Sequence, residues 1–216
     1  MMQLRSPHCS DATGWYRVLV LEGMPGAGKT TAATALAAEN RTVVGEYTSP
    51  TGAIIPIEAH PALDDDTAHQ HNWLCKHHQV QAARRDSPVF CDRDWLSALA
   101  YAYSVMDDGE LLSKRARWVS DHLDRGNLAL ASSYVLFQLD PRVSLRRRAD
   151  RLTPGHPWSS LPGLVRLAAY YRDPAEALVP VQPDLAARLR TTTWHSLRDC
   201  TVDRTVRFLR DLADLP

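Results

Sequence analysis

Lysine is nearly absent from this chain. Among 216 residues it occurs only at positions 29, 76 and 114, so arginine supplies 22 of the 25 basic side chains. Arginine is the side chain suited to bidentate contact with phosphate. Cysteine is also sparse: Cys9, Cys75, Cys91 and Cys200 lie far apart with no C-x-x-C, which argues against a disulfide framework and for reduced thiols in a cytoplasmic protein. No apolar run approaches 18 residues, and Met1 to Tyr16 contains no apolar segment of signal-peptide type, so neither membrane spanning nor export is expected. Acids and bases balance to a formal charge of zero, leaving no bulk field toward nucleic acid or an anionic membrane. Any anion must be bound by a local cluster.

What is present is concentrated at Gly23-Met24-Pro25-Gly26-Ala27-Gly28-Lys29-Thr30, followed by Thr31. The pattern G-x-x-x-x-G-K-[ST] has a mechanism: glycines let backbone N–H groups turn onto phosphate oxygens, Lys reaches the outer phosphates, and the hydroxyl ligates Mg²⁺. Its flanks agree. Val18 to Leu21 is an apolar run of buried-strand type, and Thr30 to Glu39 is an Ala-rich helix former, so the helix N-terminus adds its N–H groups and positive dipole end to the site.

Beyond this loop, strands and helices alternate. Arg41–Glu46, Val89–Asp92, Tyr134–Leu139 and Arg190–Trp194 read as strands. Thr67–Arg85, Asp94–Val105, Gly109–Arg125, Arg142–Arg151, Leu161–Arg172 and Cys200–Leu212 read as helices, and prolines 174, 180 and 183 punctuate the stretch between the last two. The pattern predicts an α/β, three-layer fold with a parallel sheet of five strands. A single domain over 17–216 is expected, with 1–16 a flexible tail. In such sheets ligands gather at the C-terminal strand ends, where Glu46, Asp92 and Asp140 stand beside the phosphate loop. Asp140, before Pro141, reads as turn chemistry rather than a metal ligand.

Three stretches carry a resemblance: Glu22 to Thr31, Asp92-Arg93-Asp94-Trp95 onward to Tyr101, and Leu139-Asp140-Pro141 ahead of clustered arginines. In order and spacing they resemble the P-loop kinases of the thymidylate kinase and deoxynucleoside kinase group. The resemblance implies ATP and Mg²⁺, a small-molecule acceptor, and no nucleic-acid or membrane partner; homodimerisation is left open. It implies that Asp92 organises metal or acceptor with Thr30, that Arg93 grips phosphate, and that Glu46 is the general base. It also implies an arginine lid over about 141–163, with Arg147 and Arg151 closing on the donor. Pro25 and Asp94 depart from the thymidylate kinase pattern, which puts thymidine monophosphate in doubt as acceptor.

The acceptor region is expected over about 46–86. Tyr47 and Trp73 offer flat walls there, Asn72, Lys76 and Gln79 offer donors, and Arg93 and Trp95 are further candidates for binding the acceptor. The histidines at 60, 69, 71, 77 and 78, with Cys75, match no standard zinc spacing. Two other readings stand: an antibiotic or secondary-metabolite O-phosphotransferase on the same scaffold, and a nucleotide-dependent switch. No N-K-x-D motif occurs and no D-x-x-G follows the loop, which counts against the switch.

Overall fold

A computed structural model describes residues 17–49, 53–55, 59–61, 65–83, 87–105, 109–198 and 200–215. The expected tail over 1–16 lies outside them. Five strands, β1 (Val18–Gly23), β2 (Thr42–Val44), β3 (Val89–Asp92), β4 (Ser133–Gln138) and β5 (Thr193–Arg198), pair in the order β2-β3-β1-β4-β5. Every pairing is parallel. The apolar run that opens the phosphate motif is thus the central strand, buried on both faces, as parallel sheets require.

Helices cover both faces. Leu19 and Leu21 point to one side, where they pack with Ala32 and Leu36 of α1 (Lys29–Ala38) and Val206 and Leu209 of α9 (Val202–Ala213). Val20 points to the other, onto the cluster built by α2 (Asp66–Ala83), α3 (Leu96–Ser104), α4 (Glu110–Asp124), α6 (Leu161–Tyr170), α7 (Pro174–Leu178) and α8 (Pro183–Arg190). Each fully buried leucine contributes about 1.5–3 kcal/mol of transfer free energy. Among the described residues no helix is long and apolar enough to cross a membrane.

Register fixes what meets at the sheet's edge. Leu21 pairs with Asp92 and Gly23 with Phe137, so the C-terminal ends of β1, β3 and β4 finish together and the phosphate loop leaves beside Asp92.

Several boundaries differ from expectation. Strand β5 begins at Thr193, because Pro183 occupies the first turn of α8 and carries the helix through Arg190. Asp173-Pro174 likewise opens α7, the Asp173 carboxylate accepting from Glu176 N at 2.9 Å. These prolines start helices rather than break them. The helix expected over 142–151 splits into α5 (Pro141–Arg147) and a 3-10 turn, Ala149–Arg151. Glu46 sits past the end of β2, in a bend; the helix end expected at Arg85 lies outside the described residues.

Candidate active site

The loop after β1 is held from below. Gly23 has φ 124°, and a Cβ there would stand 2.3 Å from the Phe137 carbonyl oxygen, so only glycine lets β4 come this close. Met24 N donates to that same oxygen at 3.0 Å. Gly28 caps α1 in a left-handed conformation, and Lys29 opens the helix. From above, Ser144 of α5 donates to Pro25 O at 2.6 Å, and Arg147 donates to Gly26 O at 3.1 Å. The short helix α5 is itself fixed by Asp140, whose carboxylate accepts from Arg142 N at 2.8 Å, which is the capping role its Asp-Pro context implies.

Lys29 is 5% exposed and donates its ammonium to Gly23 O at 2.9 Å and Met24 O at 2.8 Å. Burial, then the neighbouring Arg93 guanidinium, pushes its pKa down to about 7, against the opposing pull of Asp92, Glu22 and Glu46. An anion arriving on the loop would restore the charge.

Beside it, Thr30 Oγ1 donates to Asp92 Oδ2 at 2.9 Å, while Asp92 Oδ1 is buried with no hydrogen-bond partner. A carboxylate oxygen orphaned in this way is costly unless a cation completes it. The pair Thr30 and Asp92 therefore fits Mg²⁺, a hard cation that takes hydroxyl and carboxylate oxygens.

Asp92 leads into Arg93, whose backbone is left-handed at φ 64°, an uncommon conformation for a residue with a side chain. The turn directs the guanidinium between two carboxylates. Its Nε lies 3.0 Å from Glu46 Oε1, and its Nη1 lies 3.5 Å from Glu22 Oε2. The Nε–H has no aligned acceptor, so the contact with Glu46 is an ion pair rather than a directed hydrogen bond. Burial by itself would raise the Glu46 carboxyl; Arg93, Lys29 and Lys76 outweigh it and hold the group below the usual carboxylate range.

These groups open onto one cleft of about 850 Å³, lined by Pro25, Gly26, Gly28, Lys29, Thr30 and Thr31 on one side and by Glu46, Tyr47, Trp73, Arg93, Tyr101 and Trp158 on the other. Arg147 and Arg148 overhang it. Ala27 instead borders an adjoining hollow of about 340 Å³, with Phe137, Leu197 and Thr201, which Arg147 also reaches. Arg151 lies in the 3-10 turn, and its side chain falls outside the described structure.

Four residues expected on the acceptor wall are elsewhere. Lys76 is 2% exposed and donates to the carbonyls of Gly45 (2.7 Å), Glu46 (3.2 Å) and Asp92 (2.7 Å). Asn72 accepts from Thr48 N and donates to Glu46 O, and Gln79 donates to Ser49 O. Trp95 is buried, its indole N–H on Ala129 O. Most of the polar atoms of the first three are taken up by the segment after β2, whose Gly45, Glu46 and Ser49 carbonyls lie past the β2–β3 ladder that ends at Val44.

Other residues of the cleft were not singled out by the sequence reading. Trp158 follows Pro157 in a 3-10 turn, Pro157–Ser159, that presses on α6 where Gly163 has no side chain; a Cβ there would meet Pro157 O at 1.9 Å. Trp158 donates to Ser104 Oγ at 2.9 Å, stands edge-on to Tyr101, and lies beneath Arg93 at 5.4 Å. Arg115 reaches the cleft from α4, paired with Asp66 and stacked 5.1 Å from Tyr101. The proline before Trp158 was a helix-start signal; nothing in the sequence told which helix its aromatic would face.

Comparison with known proteins agrees with the fold. The profile of a family described as AAA domain matches residues 18–151, from β1 through the 3-10 turn after α5. By sequence, no curated protein matches. Among solved structures, deoxyadenosine kinase from M. mycoides with bound dATP superimposes with a TM-score of 0.58 at 10% identity, covering 92% of this chain and all of that one. Thymidylate kinase from Ehrlichia chaffeensis gives 0.52 at 15% identity, over 94% of this chain and 100% of its own. The YorR protein from Bacillus subtilis, in complex with phosphorylated GDP, gives 0.52 at 18% identity over 92% and 96%. The chain belongs to the AAA-domain family, in the P-loop kinase fold that these three structures share.

Proposed function

We propose that the protein is an ATP-dependent phosphotransferase that moves the γ-phosphoryl group to a hydroxyl of a nucleoside-like small molecule. The observation that carries the hydroxyl is the charge at the acceptor end. Arg93 is already held between Glu46 and Glu22, and Arg115 is matched by Asp66. A phosphate-bearing acceptor would bring two negative charges to a wall whose arginines are committed, beside a Glu46 carboxylate held ionised. A neutral acceptor with a flat ring suits Tyr47, Trp73, Tyr101 and Trp158.

In this reading the donor phosphates lie on the N–H groups of the loop, and Lys29 leaves the carbonyls of Gly23 and Met24 to meet them. Thr30 and Asp92 would hold Mg²⁺, which neutralises charge on the β and γ oxygens when bound. The donor base fits the hollow beside Ala27 and Thr201. Glu46 orients the acceptor hydroxyl and takes its proton as the bond to phosphorus forms; a carboxylate of low basicity suffices, because a loose transition state removes that proton late. Arg147 stabilises charge on the transferring group once α5 closes.

The test is single-turnover transfer from ATP to a panel of nucleosides and their 5′-monophosphates. Transfer to nucleosides is expected. Transfer to monophosphates alone would overturn the hydroxyl reading.

A further inference from the structure

We infer that Glu22, a residue with no contact to either substrate in the reading above, is a positioning residue that sets the base through Arg93. The inference rests on the proposed role of Glu46. Glu22 is the last residue before Gly23 in β1 and is wholly buried. Its carboxylate accepts from Ser97 Oγ at 2.8 Å to each oxygen, from Tyr171 Oη at 2.8 Å and from Asp94 N at 3.0 Å. Ser97 in turn accepts from Arg93 Nη1 at 3.0 Å, so Glu22 grips the guanidinium both directly and through that hydroxyl.

The opposite edge of the same guanidinium faces Glu46. Arg93 therefore has one anchored end and one working end. Its left-handed backbone, hydrogen-bonded through Arg93 N to Leu21 O at 3.1 Å, brings the side chain out of β3 in the direction of both carboxylates. Among the described residues Glu46 has no such anchorage: its carboxylate is one-third exposed and stands on a bend, with Arg93 paired to it at 3.0 Å. A buried carboxylate at the root of a strand thus determines where a half-exposed carboxylate at the cleft wall stands.

A carboxylate that only stabilised the fold would occupy the same place, and the two roles are separable. Glu22→Gln keeps the shape and one acceptor oxygen but removes the charge that holds Arg93. We expect kcat for a nucleoside acceptor to fall roughly 10- to 100-fold, as displacement of a reacting group by about 1 Å does, with KM for ATP little changed. Glu22→Asp should recover part of the loss. Ser97→Ala breaks the same link with less disturbance of the core and should lower kcat in the same sense.

The decisive measurement places Glu22→Gln in a Glu46→Gln background. If Glu22 acts through Arg93 on Glu46, the second substitution costs little once the base is gone; two residues with one route are not additive. Loss by the same factor in both backgrounds, with Ser97→Ala silent, would overturn the inference while leaving the proposed reaction intact. A Glu46→Gln variant as active as the wild type would remove the base itself, and this inference with it. Melting temperatures of each variant show whether a lost rate follows lost fold.

Discussion

The two halves of the cleft are built differently. The proposed donor half comes from one contiguous stretch, residues 23–31, in which a glycine-rich loop leads into a helix and the side chains Lys29 and Thr30 project from that helix's first turn. The acceptor half is side chains, gathered from α2, α3, α4, the bend after β2, the turn after β3 and the 3-10 turn before α6. Such a loop tolerates almost any sequence between its glycines, and those glycines announce it. A wall of side chains depends on which polar atoms the scaffold has already claimed, and only the fold decides that. Lys76 and Asn72, candidates for acceptor donors by type, are instead tied to carbonyls of the segment that carries Glu46.

The comparison breaks most readily at the donor half. Lys29→Ala should lower turnover on the order of 10³-fold, about 4 kcal/mol in the barrier, because no other lysine lies on the loop to meet the outer phosphates. Single-turnover rates, with circular dichroism to verify the fold, measure it. Near wild-type transfer would mean that the loop does not hold the donor.

On the acceptor half, Glu46→Gln should slow the chemical step ~10²-fold for a hydroxyl acceptor, with acceptor affinity nearly constant. The substitution keeps volume and one oxygen but loses proton affinity. An unchanged single-turnover rate would return the acceptor class to monophosphates, whose oxygens need no strong base.

Lys76 sharpens the contrast from the scaffold side. Lys76→Met removes the ammonium from the buried carbonyls of Gly45 and Asp92, while the Glu46 carbonyl keeps Asn72, so the fold should lose about 2–3 kcal/mol, visible as a lower urea midpoint. Affinity for acceptor, measured on the folded fraction, should change less than stability. A variant of full stability with selectively weakened acceptor binding would put the ammonium in the cleft after all.

These cases also mark what was legible in the sequence. The order of strands and helices, the parallel sheet and the phosphate loop follow from periodicity and one motif, since each is a local property of the chain. Helices α7 and α8 are absent from the sequence expectation, and β5 starts later than expected, because proline there opens helices rather than interrupting them: Asp173-Pro174 and Gln182-Pro183 place it at first helical positions. Asp92 and Arg93 meet the loop because register aligns Leu21 with Asp92, and strand-end position was a usable signal. Trp158 was not legible. Its approach to Arg93 depends on a helix packing against a carbonyl at Gly163, a contact with no trace in local pattern.

The smallest effect distinguishes the halves by proton. Lys29, its pKa pushed down to about 7 by burial and then by Arg93, loses charge near neutral pH before the donor arrives. Phosphate oxygens favour the ammonium, so its pKa rises on binding and the complex takes up a proton at any pH between the two values. Donor affinity must then fall as pH rises above 7, by no more than about tenfold per pH unit, the limit for a single proton, if only the charged form binds. Glu46 runs the other way: its carboxyl is held below the usual range, so it stays ionised across that window and contributes no slope to acceptor binding. Asp94, an acid that burial and then the neighbouring Glu22 push up to about 7, spends its carboxylate on Tyr134 Oη and Leu96 N rather than on the cleft. Calorimetry of ATP binding near pH 7.5, in buffers of different ionisation enthalpy, reads the proton directly, and Lys29→Met supplies the control. Uptake that disappears in the variant assigns the proton to Lys29. Equal uptake in both proteins would mean that the ammonium is already charged in the empty site, with the carboxylates of Asp92, Glu22 and Glu46 prevailing over burial.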